Sequence, residues 1–221
     1  LIGVGSLFQQ AAKRFYSEKS PIIVTSDDYR FIVRQQLFEV GIDEAEVIIE
    51  PESKNTGPAI LMAACHIASK EPNSIMLVMP SDHYIPDTQA FAKIVEEGAS
   101  NLGKKQIICF GITPRQPETG YGYIRIGHGD GTVKPVLSFT EKPNYKTANA
   151  FIKDGGYLWN AGIFMIRAQD LLDIAAKVQP HMLKIAINAV EGLTEDLDFL
   201  RLDLKEWAKM PTKSFDYAFM E

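Results

Sequence analysis

The sequence is poor in the residues that announce several large function classes. It holds two cysteines in 221 residues, Cys65 and Cys109. They stand far apart and outside any CxxC or Cys/His spacing, which excludes a disulfide framework and a cysteine-bound metal. Both read as buried thiols of a protein working in a reducing, cytoplasmic compartment. Lysine and arginine form no run, and the formal net charge is -5. The basic stripe that a nucleic-acid binder lays against phosphates is therefore missing. No apolar run approaches the roughly 20 residues of a membrane span. The opening Leu1–Ser6 lacks the pattern of a secretion signal and reads as the middle of a domain. No GxGxxG follows a strand, which removes the dinucleotide fingerprint of an oxidoreductase. No hydrolase triad or thiol nucleophile stands out either, and His66, among apolar helix residues, reads as a packed core histidine.

What is present is an ordinary globular chain, 46% hydrophobic and 23% charged, long enough to bury roughly 70% of its unfolded surface. Ser6 with Gln9 three residues later is a capping box, starting a helix that runs to about Tyr16. Pro21–Thr25 is a short apolar strand, and Asp27 or Asp28 caps a helix through Val40, closed by Gly41. Val47–Ile49 is the next strand. Pro58 lies in the first turn of a helix reaching about Ser69. Ile75–Met79 is a continuous apolar strand, Phe91 to about Ser100 a helix, and Gln106–Gly111 another strand. Beyond residue 112 the pattern changes to strands at Tyr121–Ile126 and Val133–Glu141 around a Gly-rich turn (128–131), a helix at Tyr145–Lys153, strand pieces at Tyr157–Asn160 and Gly162–Arg167, and a mostly helical tail. This alternation predicts an α/β fold: a mixed, mostly parallel Rossmann-like sheet with helices on both faces. The chain reads as one domain, 1–221, with a nucleotide-binding lobe over about 1–112 and a second lobe over about 113–221.

In open α/β sheets, ligands bind beyond the carboxyl ends of the strands, so the residues that follow each strand are the candidates. Pro80-Ser81-Asp82-His83 follows one strand and puts a carboxylate where Mg²⁺ is commonly held, although a helix cap or an ion pair reads the same way. Glu50-Pro51 through Asn55-Thr56-Gly57-Pro58 forms a loop into a helix start whose free N–H groups face an anion or a base edge, or merely cap the helix. Gly122, in Gly-Tyr-Gly, permits close backbone approach of a ligand, as an ordinary turn also would. Glu141-Lys142 ends a strand with an acceptor for hydroxyls and a point charge for a phosphate; the competing reading is a surface ion pair. Asn160, in Trp-Asn-Ala-Gly, offers a donor and an acceptor to a polyhydroxyl ligand, or else marks a β-bulge. Asp216 is a second candidate carboxylate, or a helix N-cap. His83 reads as a partner that fixes its loop.

Taken together and in order, the segments EPESKNTGPAI, PSDHYI, GITPRQPETGYGYI, FTEKP, WNAGIF and SFDYAFME resemble the mannose-1-phosphate guanylyltransferases, within the sugar nucleotidyltransferases. SLFQQAAKRF and PIIVTSDDYR are similar to the family as well, so the resemblance covers nearly the whole chain. It implies a nucleotide-diphospho-sugar transferase fold that joins GTP and α-D-mannose 1-phosphate, releasing GDP-mannose and pyrophosphate. It implies Mg²⁺ on Asp82 and Asp216, and a nucleotide site at Glu50, Pro51, Asn55, Thr56 and Ser81. It also implies a sugar site at Gly122, Glu141 and Asn160, Lys142 on the sugar phosphate, and a homodimer with neither nucleic acid nor membrane as partner. The catalytic set it implies is Asp82, Lys142 and Asp216. Lys54 stands where the family usually has arginine, keeping the charge without the planar fork, and Phe215 where it usually has isoleucine. The family's opening strand and Gly-rich, triphosphate-cradling loop are expected upstream of Leu1, with that strand central in the sheet; the family also continues beyond the position of Glu221, where any C-terminal isomerase or β-helix domain would lie. A UTP- or dTTP-dependent enzyme for glucose 1-phosphate, and a non-catalytic GDP-sugar sensor, remain the alternatives.

Overall fold

The computed structural model describes residues 5–16, 19–129 and 131–220. In chain order the elements are α1 (Leu7–Lys13), β1 (Ile22–Ser26), α2 (Arg30–Glu39), β2 (Glu46–Glu50), α3 (Thr56–Lys70), β3 (Ile75–Val78), α4 (Thr88–Asn101), β4 (Ile108–Ile112), β5 (Tyr123–Ile126), β6 (Val136–Thr140), α5 (Tyr145–Asp154), β7 (Tyr157–Arg167), α6 (Ala168–Val178), α7 (Pro180–Glu191), β8 (Thr194–Asp196), β9 (Phe199–Arg201), α8 (Leu204–Trp207) and α9 (Phe215–Phe219). Leu1–Val4, Asp130 of the Gly-rich turn and the terminal Glu221 lie outside the described residues.

Local chemistry sets the element ends. The capping box at α1 is made in full: Gln9 N donates to Ser6 Oγ at 3.1 Å, and Ser6 N donates to Gln9 Oε1 at 2.9 Å. Asp87, Asn144 and Ser214 cap α4, α5 and α9 through their side chains, and Gly41 takes the positive φ (+74°) that follows α2. The expected cap at Asp27 or Asp28 is not made. A 3₁₀ turn over Asp27–Tyr29 precedes α2 without any side-chain cap. Asp27 is instead held by two guanidinium groups, Arg30 at 2.9 Å and Arg201 at 2.6 Å, a stronger partnership than a cap bond. The two strand pieces around Ala161 are one continuous strand, β7. The tail is not helical throughout either: β8 and β9 form a hairpin with Leu197 in its turn, at φ +56°.

The first sheet has the order β1-β2-β9-β8, with β1–β2 and β2–β9 parallel and β8–β9 antiparallel. Ser26 is in register with Glu50, and Ile49 with Arg201. Three carboxyl ends therefore finish together. The second sheet is antiparallel throughout and is organised by β7. Met165 pairs with both Leu77 and Ile108, which puts β3 and β4 on opposite edges of β7. Trp159 pairs with both Tyr123 and Ile112, which puts β5 on the same edge as β3. Between the ends of those two ladders, Val78↔Phe164 and Tyr123↔Trp159, residues 160–163 of β7 lack a strand partner on that edge. The pairing of β7 on that edge has a gap at this point.

Both sheets rest on one helical layer. Alternate side chains Ile48 of β2, Met76 of β3 and Phe164 and Ile166 of β7 enter a single core with α3, α6, α7, Trp207 and Phe215. The intervening side chains face the other way: Val47 and Ile49 pack against α1 and α2, while Ile163 and Met165 pack against α4. Helices thus cover both faces, as the sequence pattern predicts. Strands β1 and β3 each carry a ladder on one edge only among the described residues, and both send side chains into the shared core.

Candidate active site

The pairing gap beside residues 160–163 brings together Gly122, Glu141, Asn160 and Asp216 of the predicted residues. Gly162 has φ +65° and lets β7 bulge, so that register passes from Cys109↔Phe164 to Gly111↔Asn160. The bulge reading of this stretch holds, and the bulge sets Asn160 beside Asp216. Asn160 N donates to Gly122 O at 2.8 Å, its Oδ1 accepts from Gly162 N at 3.1 Å, and its Nδ2 donates to Asp216 Oδ1 at 2.7 Å. Gly122 is required for space. A Cβ there would lie 2.6 Å from Glu141 Oε2, 2.9 Å from the Phe139 ring and 3.4 Å from Asn160 Cβ. Gly122, Glu141 and Asn160, predicted together, are in contact. Glu141 is buried at its side chain and ion-paired to the exposed Lys142 at 3.2 Å. Lys142 sits at φ +44°, a conformation unusual for a side-chain-bearing residue outside turns and sites.

Asp216 lies in the first turn of α9, which Ser214 caps; the alternative of Asp216 as the cap itself is not realised. Phe215 anchors this turn. It is fully buried, with its ring 4.7 Å from that of Phe164 on β7. The phenylalanine that departs from the resemblance is thus the residue that pins Asp216 to the bulged strand. Asp82 approaches from the β3 side. Two residues before it, the Pro80 ring would lie 3.7 Å from a Cβ placed on Gly162. Ser81 and Asp82 are solvent-exposed. Their loop is braced by a residue the sequence reading missed: Arg14 Nη2 donates to His83 O at 3.4 Å, and its guanidinium lies 5.7 Å over the Phe91 ring. His83 is held through its carbonyl. No pattern near Arg14 points to this, because its partners are about 70 residues away.

Two hard carboxylates on segments that flank one bend fit a cation that takes one or two carboxylates and completes its shell with phosphate oxygens and water. Among the described residues, no three His, Cys, Asp or Glu side chains gather into a protein-only cage. Cys109 is close enough to Asp216 to feel its charge; burial first, and that carboxylate second, push its thiol up to about 12. Burial pushes Cys65 up to about 12 as well. Neither is a nucleophile at neutral pH.

The loop after β2 is the other half. Glu50 is 9% exposed, and its Oε1 is buried with no hydrogen-bond partner. Burial pushes its carboxyl up to about 7. An orphaned buried acceptor at a strand's carboxyl end is costly and is the kind of group a ligand donor relieves. Pro51 is half-buried, and Lys54 is paired with Glu52 at 2.7 Å. Asn55 adopts φ +72°, and its Oδ1 takes the Thr56 N–H at 2.7 Å, so it caps α3. Thr56 Oγ1 accepts from Phe215 N at 2.9 Å. His66 is buried as expected, with Nε2 2.5 Å from Glu46 Oε2.

Residues 1–208 match the profile of the nucleotidyl transferase family. The chain is 38% identical over 223 residues to the xanthan biosynthesis protein XanB of Xanthomonas campestris pv. campestris, covering 100% of this chain and 48% of that one. It is 38% identical over 210 residues to the mannose-1-phosphate guanylyltransferase of Escherichia coli K12, covering 92% and 44%. The fold is similar to the crystal structure of mannose-6-phosphate isomerase from Helicobacter pylori, with a TM-score of 0.89 and 29% identity over 100% of this chain and 86% of that one. The chain spans about half the length of the curated relatives it matches. On these grounds it belongs to the nucleotidyl transferase family.

Proposed function

We propose that the protein transfers a guanylyl group from GTP to α-D-mannose 1-phosphate, giving GDP-mannose and pyrophosphate. The observation that carries this reading is the contact chain Glu141–Gly122–Asn160–Asp216, which joins acceptors for sugar hydroxyls to a candidate metal carboxylate. The names of the Escherichia coli and Xanthomonas relatives, a guanylyltransferase and a polysaccharide-biosynthesis protein, support it.

An oxygen of the sugar phosphate attacks the α-phosphorus of GTP; the new P–O bond forms as the bond to the β-phosphate oxygen breaks, and pyrophosphate departs. The nucleophile is already an anion, so no strong general base is needed, and catalysis rests on positioning and charge. Glu141 and Asn160 would fix the sugar through its hydroxyls, with Gly122 leaving them room. Lys142 would sit on the sugar phosphate and offset the repulsion between two anions. Glu50 would accept from guanine donors, beside a loop ordered by Pro51 and Asn55, with Ser81 on the facing side. Asp82 and Asp216 would hold Mg²⁺, which when bound neutralises charge at the α-phosphate. Residues about 1–112 would serve mainly the nucleotide and residues about 113–221 mainly the sugar, in one domain. The open edges of β1 and β3 support a further strand between the two sheets, where the resemblance expects the opening Gly-rich segment. Two unpaired thiols suit work in a reducing compartment such as the cytoplasm.

The test is pyrophosphate release by the intact protein. GTP, UTP, dTTP and ATP are each paired with mannose 1-phosphate or glucose 1-phosphate, with and without Mg²⁺. Release with GTP, mannose 1-phosphate and metal is expected. Release with another pair replaces the substrates and keeps the chemistry, and silence with all pairs alongside tight GDP-mannose binding makes the protein a sensor.

A further inference from the structure

The loop that follows β2 and the segment that carries Asp216 are separated by more than 150 residues of sequence, yet four hydrogen bonds join them. Trp207 Nε1 donates to Glu52 O at 2.8 Å, and Lys213 N donates to Lys54 O at 3.2 Å. Gly57 N donates to Lys213 O at 3.0 Å, and Phe215 N to Thr56 Oγ1 at 2.9 Å. The fit is tight: a Cβ on Gly57 would stand 2.7 Å from Lys213 O. Three of these bonds use backbone or indole groups. Thr56 supplies the one side-chain acceptor, and what it accepts is the amide immediately before Asp216.

We infer that Thr56 is a positioning residue for Asp216, so that the nucleotide loop and the metal carboxylate move as one unit. Amide groups in the first turn of a helix have no intrahelical acceptor. In α9 the Phe215 N–H is satisfied by Thr56, and the Tyr217 N–H by Ser214. Removing the Thr56 hydroxyl frees the start of a five-residue helix whose second residue is Asp216. The geometry thereby changes the role that resemblance implies for Thr56. Its oxygen acts on the carboxylate's backbone, and the neighbouring Asn55 takes the cap of α3. The consequence is reciprocal: a nucleotide that orders the loop orders Asp216, and a cation on Asp216 orders the loop.

This inference rests on the reading of Asp216 as a metal ligand, and the test separates the two. Thr56→Val removes the acceptor at nearly constant shape, Thr56→Ser keeps it, and Asp216→Asn is the control. Three quantities are measured on the whole chain: hydrogen exchange of the Phe215 and Asp216 amides, Mn²⁺ affinity by electron paramagnetic resonance with GDP-mannose bound, and GDP-mannose affinity without metal. For Thr56→Val, exchange about tenfold faster and Mn²⁺ binding about tenfold weaker are expected, with metal-free GDP-mannose affinity within about twofold of wild type. Thr56→Ser should match wild type in all three. Unchanged exchange and Mn²⁺ affinity in Thr56→Val, or a loss of metal-free GDP-mannose binding as its main effect, overturns the inference and makes Thr56 a nucleotide contact. If Asp216→Asn binds Mn²⁺ as wild type does, the metal reading fails instead, and the exchange measurement alone decides whether Thr56 orders this turn.

Discussion

The proposed sugar and nucleotide sides of the site are built on opposite plans. On the proposed sugar side, Gly122 lies against both Glu141 and Asn160, and each is held by a backbone bond, an ion pair or close packing. On the nucleotide side, the loop is anchored to its neighbours, but Glu50 keeps a buried oxygen without a partner. One side is preorganised; the other keeps an unmet hydrogen bond that, on the proposed function, a ligand donor satisfies. A pocket complete before binding discriminates by shape. A pocket with a buried unpaired acceptor discriminates by chemistry, because a ligand without a donor leaves the desolvation cost standing.

The sharpest way to break the comparison is at the residue both sides share. Asp216 hydrogen-bonds Asn160 and follows the amide bound by Thr56. A unit charge pair at 4 Å and an effective dielectric of 20 is worth about 4 kcal/mol, or roughly a thousandfold in rate. Asp216→Ala should therefore lower kcat at saturating Mg²⁺ by at least about tenfold and by up to about a thousandfold, with Asp82→Ala in the same range. Near-normal turnover would remove the metal assignment. Next in size is Gly122→Ala, a single methyl driven into Glu141 and Phe139. We expect about a hundredfold loss in kcat/KM for mannose 1-phosphate, consistent with the sensitivity of rate to small misplacements, with GTP affinity nearly unchanged. Equal losses for both substrates would erase the division between the two sides.

How much of this was legible in the sequence follows from the range of the interactions. The α1 capping box, the apolar strands and the order of the site segments are local, and the structure repeats them. The hairpin β8–β9 was not legible, because Phe199–Arg201 is too short to show a period and is a strand only through its pairing with β2. Asp27 looked like a cap because its partner Arg201 is 174 residues away. The same limit hid the Arg14 brace under His83 and the bond from Phe215 to Thr56. Asn160 was ambiguous between bulge and ligand contact because the same Trp-Asn-Ala-Gly pattern fits both; the structure forms the bulge. Resemblance assigns Glu50 to the nucleotide loop, but its unsatisfied oxygen belongs to tertiary burial and leaves no trace in the residues around it.

That oxygen gives the smallest and most specific test. Folding raises the Glu50 carboxyl from its ordinary 4.5 to about 7, so the ionised form is penalised only in the folded protein. The proton's contribution to stability is therefore full below the unfolded value and is lost as pH rises through about 7. Glu50→Gln removes the charge and keeps an acceptor. It should leave thermal stability unchanged near pH 4 and raise it at pH 8 by about 1–3 kcal/mol, the upper end being the full shift at 1.36 kcal/mol per pH unit. The same change should cost about tenfold in GTP affinity at pH 8, because the amide places a donor where guanine also presents donors. In wild type, GTP affinity should fall as pH drops below about 7, where the carboxyl takes up its own proton, and in Glu50→Gln it should be flat across that window. A pH-independent GTP affinity in wild type, with the stability effect intact, would keep Glu50 buried and unpaired but move the base elsewhere. The nucleotide side would then be no less preorganised than the sugar side.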